Sequence, residues 1–156
     1  MEREDKEEGI VYEKILRINR ISKGTKGGRR LRFNVLAVVG SKKGSVGYGL
    51  AKGNEVSAAI QKAIRKARKS LQNFSFSETI PHSVIGKFGA SKIMLRPAKD
   101  GKGIIAGAVV RSVMEAIGIK DIVTKSIGSS NPVNVVKATL AGLRDIKVKK
   151  WKRERG

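Results

Sequence analysis

Cysteine is absent, histidine occurs once, and the aromatic set amounts to one Trp, two Tyr and four Phe. Without cysteine there is no disulfide, no thiolate nucleophile and no thiolate ligand, and the redox compartment is left open. His82, beside Pro81 in a linker-like stretch, is the sole imidazole. A zinc site needs several nitrogen or sulfur ligands and has none to assemble, and His82 reads as a surface or packing residue, not a catalyst. Scarce aromatics argue against a module that reads single strands by stacking bases on aromatic platforms. No apolar run approaches the length of a transmembrane helix, and Met1–Glu8 opens on acids, not on a basic segment followed by an apolar one. A soluble intracellular protein is the expectation. Glu78, Asp100, Glu115, Asp121 and Asp145 are so spread along the chain that no carboxylate pair stands out for acid–base work. The chain is therefore expected not to be an enzyme and to need no metal or cofactor.

What is abundant is positive charge. Against 13 Asp and Glu stand 34 Lys and Arg, a formal net charge of +21 in 156 residues. Such a chain repels itself, so a polyanionic partner is the natural compensation, nucleic acid ahead of an anionic membrane surface. A hydrophobic fraction of 40% still suffices for a folded core, so the charge does not imply disorder. The charge is uneven: residues 1–8 carry −3, residues 13–71 carry +14 and residues 72–156 carry +10.

Within the most basic block lies Ser22-Lys-Gly-Thr-Lys-Gly-Gly-Arg-Arg30. Gly24, Gly27 and Gly28 permit positive φ and close backbone approach, while Lys23, Lys26, Arg29 and Arg30 put four cations on a stretch with no acid. It is expected to be a loop between strands at Tyr12–Ile21 and Leu31–Val39, a finger pushed into a polyanion. The first strand alternates imperfectly. The second alternates cleanly through Leu31, Phe33, Val35, Ala37 and Val39, and its latter half is apolar on both faces, which suits a central strand. A basic turn at Gly40–Gly44 leads to a third strand, Val46–Lys52, loosened by Gly47 and Gly49, completing an antiparallel meander. Asn54 is expected to cap a helix, with Glu55 near its positive end. Val56, Ile60, Ala63, Ile64, Ala67 and Leu71 recur at helical spacing as its buried stripe. Lys62, Arg65, Lys66, Arg68 and Lys69 form the opposite side; a solvated face mixes both signs, and this one has no acid, so it reads as phosphate-facing.

Gln72–Pro81 is polar and Ser-rich and reads as the crossing between domains. The second half restarts with strand-like Ser83–Phe88 and Ser91–Arg96, a turn at Lys99–Gly103 and a helix Ala106–Ile117 buried through Val109, Val110, Val113, Met114 and Ile117. A strand at Asp121–Ile127 follows, then a helix capped by Asn131 with Pro132 at its first position and Val135, Val136, Leu140 and Leu143 buried. Val109-Val110-Arg111 and Val135-Val136-Lys137 occupy comparable places, from duplication or from the common look of such units. Lys147–Gly156 is a basic tail with Trp151 that either threads into a partner or hangs free. Two phosphate-loop readings of Gly40–Gly53 fail: the spacing is not that of a Walker loop, and Gly47-Tyr-Gly49 continues as a strand and opens no helix. Gly101, Gly103 and Gly107 are either turn glycines that admit the helix close to the sheet or a place where a partner backbone approaches, with Arg111 exposed to pair with it.

The order of a basic meander, a basic helix, a linker and a small second domain resembles the ribosomal small-subunit protein five family in its bacterial form. The stretches that carry the likeness are Asn19–Lys23, Lys26-Gly-Gly-Arg29, Val38-Val-Gly40, Val46-Gly-Tyr-Gly49, Ala58-Ala-Ile-Gln-Lys-Ala63, Gly103-Ile-Ile-Ala-Gly107 and Gly128-Ser-Ser-Asn-Pro-Val-Asn-Val-Val136. The resemblance implies an α+β chain: an acidic extension at 1–11, a double-stranded-RNA-binding-like meander plus helix at 12–73, a small two-layer α/β domain at 74–146 and a basic tail at 147–156. It implies a cytoplasmic constituent of the small ribosomal subunit that binds small-subunit ribosomal RNA. It further implies support for assembly and the body–head arrangement, a place near the messenger RNA entry path, and a contribution to translational accuracy. Ser22–Arg30 would be the hairpin that reaches towards the neck and is associated in the family with spectinomycin sensitivity. The candidate RNA contacts are Arg17, Arg20, Ser22, Lys23, Lys26, Gly27, Gly28, Arg29, Arg30, Lys42, Lys43, Lys52, Arg65, Arg68 and Lys69. Gly101, Lys102, Gly103 and Arg111 would meet the fourth small-subunit protein, and the eighth would meet the second domain. Ser41-Lys-Lys43 is more basic than the family turn and suggests extra phosphate contact. A free-standing double-stranded RNA-binding regulator or assembly chaperone is the alternative, and an enzyme has only fold analogy behind it.

Overall fold

The computed structural model describes residues 9–25, 28–76 and 78–146, with side chains at these positions outside 23–31. By its contacts the chain divides into two units, one running to Asn73 and including Glu115–Gly118, the other comprising Phe74–Met114 and the chain from Ile119. The architecture is the α+β one expected, an antiparallel meander with a helix and then an α/β unit.

The first unit holds β1 (Tyr12–Thr25), β2 (Gly28–Gly40), β3 (Ser45–Gly53), helix α1 (Val56–Lys69) and a two-residue β4 (Gln72–Asn73). Its sheet order is β1-β2-β3-β4, antiparallel at every pairing. The short β4 corrects the reading of Gln72 onward as linker: Ser45 pairs with Asn73 and Val46 with Gln72. A second correction concerns the basic stretch at Ser22–Arg30, which is not an open loop. Its residues are laddered strand, Ser22 opposite Leu31, Lys23 opposite Arg30, Gly24 opposite Arg29 and Thr25 opposite Gly28. Lys26 and Gly27 lie outside the described residues. Cations and glycines read as loop by propensity, yet the ladder depends on the pairing of two backbones and not on residue type.

Imperfect alternation in β1 has a cause. Pairing passes from Ile15–Ala37 to Arg17–Leu36, so Leu16 is an extra residue, a β-bulge. Ile15 and Ile18 thereby share the α1 side of the sheet with Ala37 and Val35, and Arg17 and Asn19 take the opposite side with Leu36 and Asn34. Along β2, Val35 to Val39 are at most 2% exposed, the double-sided burial expected of the central strand.

Helix α1 lies on β3 with only small residues between them. Ala59, Ala63 and Ala67 are its buried face, and Ile60 and Ile64 pack partly buried beside the Val35–Ala37–Ala51 cluster. The expected stripe is thus rotated towards the alanines. A Cβ at Gly49 would sit 2.2 Å from the Ala63 carbonyl oxygen, and one at Gly47 the same distance from that of Ala67. These glycines do not loosen the strand; they admit the helix backbone. The cap also differs from expectation. Glu55, not Asn54, holds the cap position, without a side-chain cap bond, because the first helical bond runs from Ala59 N–H to the Glu55 carbonyl.

The second unit holds β5 (Val84–Phe88), β6 (Ser91–Pro97), β7 (Ile104–Ile105), α2 (Ala108–Ile117) as far as Met114, β8 (Ile122–Gly128) and α3 (Pro132–Arg144), in the sheet order β5-β6-β8-β7. The two residues of β7, which fall between the expected turn and the expected helix, run parallel to β8; the other pairings are antiparallel. Asn131 caps α3 as expected, accepting from Val133 N–H at 3.0 Å and Asn134 N–H at 3.4 Å, with Pro132 at the first helical position. Val135, Val136, Leu140 and Leu143 are buried, and α3 packs against β5 and β6. Val110, Val113, Met114 and Ile117 of α2 are buried.

A test of the helix–strand contact follows. Gly49→Ala forces a carbon into backbone and is expected to lower unfolding stability by about 2 kcal/mol or more. Gly107→Ala, where a Cβ meets nothing within 4 Å and only the cap position of α2 is touched, should cost about 1 kcal/mol or less. Urea unfolding of both variants followed by circular dichroism checks the pair, and equal midpoints would contradict the packing described.

Candidate nucleic-acid interface

The outer edge of β3 is where sequence-distant cations converge. In an antiparallel edge strand every second residue turns its carbonyl away from the sheet. On β3 these are Tyr48, Leu50 and Lys52, and each is met by a side chain at or just beyond α1. Ser70 Oγ donates to the Tyr48 carbonyl at 2.9 Å, Lys66 Nζ to that of Leu50 at 3.2 Å, and Lys62 Nζ to that of Lys52 at 3.5 Å. The donors recur every four residues and the acceptors every two. Four helical residues advance about 6 Å and two strand residues about 6.8 Å, so the two ladders stay nearly in step over three rungs. Cationic caps on an open edge also deny it to another strand.

Above this ladder runs an open groove of about 510 Å³ lined by Leu50, Ala51, Lys52, Lys62, Arg65, Lys66 and Lys69. Five of the seven lining residues are cations and none is an acid, so the groove concentrates positive potential where a phosphate chain can lie. Lys66, Arg68 and Lys69 occupy the last turn of α1, where the helix dipole also favours cations. The expected contacts Lys52, Arg65 and Lys69 are brought together here. Lys62 and Lys66, recognised in sequence as part of the basic side but not among the candidate contacts, belong to the same groove. Arg68 is different. It forms an ion pair with Glu13 of β1, each side chain about a third exposed, so an acid 55 residues away sits beside a face that looked acid-free.

The remaining candidates are distributed over the unit. Arg17 lies on the sheet face opposite α1, with Lys52 directed to that same face by its pairing with Asn34. Arg20, opposite Phe33, is on the α1 face of the arm. Ser22, Lys23, Gly28, Arg29 and Arg30 are in the arm itself. Lys42 and Lys43 sit at the far end of β2 from the arm's tip, roughly 40 Å away by strand rise. There Lys42 holds φ 62°, and its ammonium lies 5.7 Å from the centre of the Tyr12 ring, a cation–π contact that gives it a structural task.

In the second unit Gly101 and Gly103 have φ of 90° and 82°, and a Cβ at either would meet nothing within 4 Å. The turn requires their conformation; close packing of the helix against the sheet, one of the two reasons expected, is not the cause. Lys102 closes the turn through its N–H to the Lys99 carbonyl at 3.0 Å. Arg111 is exposed and donates from Nη2 to the Ile104 carbonyl at 2.8 Å, so turn, β7 and α2 form one connected surface. The acids are less scattered than their sequence spacing implied: carboxylate oxygens of Glu78, Asp100 and Asp121 lie within 4.8 Å of one another. Loop closure accounts for part of this, since Asp121 Oδ1 accepts from Gly103 N–H at 2.7 Å and the Glu78 carbonyl accepts from the N–H groups of Lys120 and Asp121. Among the described residues no helix is long and apolar enough to cross a membrane.

Arg65→Ala/Lys69→Ala removes two groove cations for which no ion pair occurs among the described residues. With about 0.7–0.9 of slope per phosphate contact, the dependence of log K on log salt for a double-stranded RNA should flatten by about 1.5. Arg68→Ala, already paired with Glu13, should flatten it less, and equal effects in a salt titration would mean the groove is not distinguished from its surroundings.

Comparison with known proteins places this geometry in a family. Residues 11–75 match the model of the family described as "Ribosomal protein S5, N-terminal domain", and residues 86–153 match that described as "Ribosomal protein S5, C-terminal domain". A protein of Lawsonia intracellularis (strain PHE/MN1-00) named "Small ribosomal subunit protein uS5" is 50% identical over 141 residues, covering 90% of this chain and 86% of the relative. One of the same name from Xylella fastidiosa (strain M12) is 46% identical over 145 residues, covering 92% and 81%. With both halves matched and the identity continuous across them, the chain belongs to the ribosomal protein S5 family.

Proposed function

We propose that this chain is a structural, non-enzymatic constituent of the small ribosomal subunit that binds small-subunit ribosomal RNA. The observation that carries the reading is the acid-free groove over the β3 edge, in a unit whose β1–β2 arm is also basic. Membership of the family supplies the ribosomal setting, and with it a location in the cytoplasmic ribosome. Affinity comes from Lys and Arg neutralising phosphates and releasing counterions. Specificity comes from RNA shape, because the A-form major groove is too narrow to read and the shallow groove offers 2′-hydroxyls.

The finer roles rest on the family resemblance. The arm reaches towards the neck of the subunit, and the chain supports assembly, the body–head arrangement and translational accuracy near the messenger RNA entry path. The connected surface of Gly101–Gly103 and Arg111 faces the fourth small-subunit protein, and the second unit meets the eighth. Ser41-Lys-Lys43 adds a phosphate contact at the end of the sheet away from the arm.

A salt titration comparing small-subunit ribosomal RNA with a random duplex of equal length tests the reading. A preference for the ribosomal RNA that persists at moderate salt, with steep slopes for both, is expected. Equal affinities would favour a general duplex binder, a free-standing regulator or assembly chaperone.

A further inference from the structure

On the sheet face opposite α1, the register sets three polar residues side by side across three strands. Asn19 of β1 is directly opposite Asn34 of β2, and Asn34 is directly opposite Lys52 of β3. The same face carries Arg17, opposite Leu36, and Arg32, opposite Ile21. Arg17, Asn19, Arg32 and Lys52 are exposed, and no acid occurs at these rungs. Neighbouring strands lie about 4.8 Å apart, so the row spans about 10 Å, the reach of one nucleotide and its flanking phosphate.

Within this row one atom has no account in the folded chain. Asn34 Oδ1 is buried and accepts no hydrogen bond among the described residues. The neighbouring amide does not share that condition, since Arg17 Nε donates to Asn19 Oδ1 at 3.1 Å. A buried carbonyl oxygen without a donor destabilises the fold, and an apolar side chain of similar shape would remove the penalty. β-sheet propensity also disfavours Asn in a central strand. Local rules broken without a compensating contact mark a site whose compensation comes from a partner.

We propose that Asn34 is an RNA contact, its amide oxygen accepting from a ribose 2′-hydroxyl of a strand whose phosphates are held by Arg17, Arg32 and Lys52. The charge of the face selects a polyanion, and the unmet acceptor selects a donor on it. A 2′-hydroxyl is the donor that every ribonucleotide carries next to its phosphate, whatever its base. Docking draws the exposed Lys52 side chain, directly cross-strand from Asn34, onto phosphate and opens the amide to the sugar. Asn19, held by Arg17, is a positioning residue that keeps that guanidinium on this face. The inference rests on the ribosomal RNA reading above and deepens it from charge to sugar recognition.

The test uses the full chain, small-subunit ribosomal RNA, and the variants Asn34→Leu, Asn34→Thr and Lys52→Ala. Asn34→Leu is expected to raise the melting temperature and to weaken binding about five- to tenfold at every salt concentration, with the salt slope unchanged. Asn34→Thr, which keeps an oxygen acceptor, should recover part of the loss, while Lys52→Ala should flatten the slope. Mapping of 2′-hydroxyl acylation should show riboses protected by the wild type that become reactive with Asn34→Leu. Wild-type affinity in Asn34→Leu, or a loss accompanied only by changed base reactivity, overturns the 2′-hydroxyl contact while leaving the ribosomal reading standing. Absence of any wild-type preference for ribosomal RNA over a random duplex overturns that reading and this site with it.

Discussion

The first unit depends on one close contact, the seating of α1 directly on the backbone of β3. With glycine at 47 and 49 and alanine at 59, 63 and 67, no side chain holds the two elements apart. Dispersion and burial gain from that approach, but its larger consequence is geometric. A helix held this near the strand brings Lys62, Lys66 and Ser70 within hydrogen-bond reach of the edge carbonyls of Lys52, Leu50 and Tyr48. Bulky residues at the contact would move the helix outward, and the edge ladder and the groove above it would both be lost. Packing of the smallest side chains therefore sets the position of the largest cations.

The cations are not equivalent once folded. Some contribute to structure as well as to charge: Lys62 and Lys66 cap an open edge, Lys42 lies over Tyr12, Arg68 pairs with Glu13 and Arg111 ties α2 to β7. A net charge of +21 would otherwise act only against compactness. Side chains with structural partners lose less freedom when a polyanion binds, because part of the ordering cost is met on folding.

Sequence pattern made the order and type of the long elements legible, because their signals are local. Alternation marked β2, the 3.6-residue stripe marked the helices, and Asn131-Pro132 marked the start of α3. Signals that required a partner were not legible. Whether Gly47 and Gly49 weaken a strand or admit a helix depends on what lies above them. Lys62 and Lys66 look like ordinary basic residues until the strand edge is in place, and Glu13 cannot be assigned to Arg68 from 55 positions away. Glu78, Asp100 and Asp121 looked scattered for the same reason. The basic arm imitates a loop in composition, whereas its ladder depends on the pairing of two strands. Asn54 fits the cap role by residue type better than Glu55 does, and only the helical hydrogen bonding assigns the position to Glu55.

The bulge at Leu16 carries a consequence of a different kind. Facing in a strand is a matter of parity, and a single extra residue reverses it for everything downstream. The chemistry presented by Arg17, Asn19 and Ile21 on one side, and by Ile18 and Arg20 on the other, is thus fixed by counting from the bulge and not by the residues themselves. Were Leu16 to pair regularly with Leu36 instead, the composition of the arm would stay intact and its two faces would be exchanged, so a chain with every basic residue still present would offer them to the wrong side.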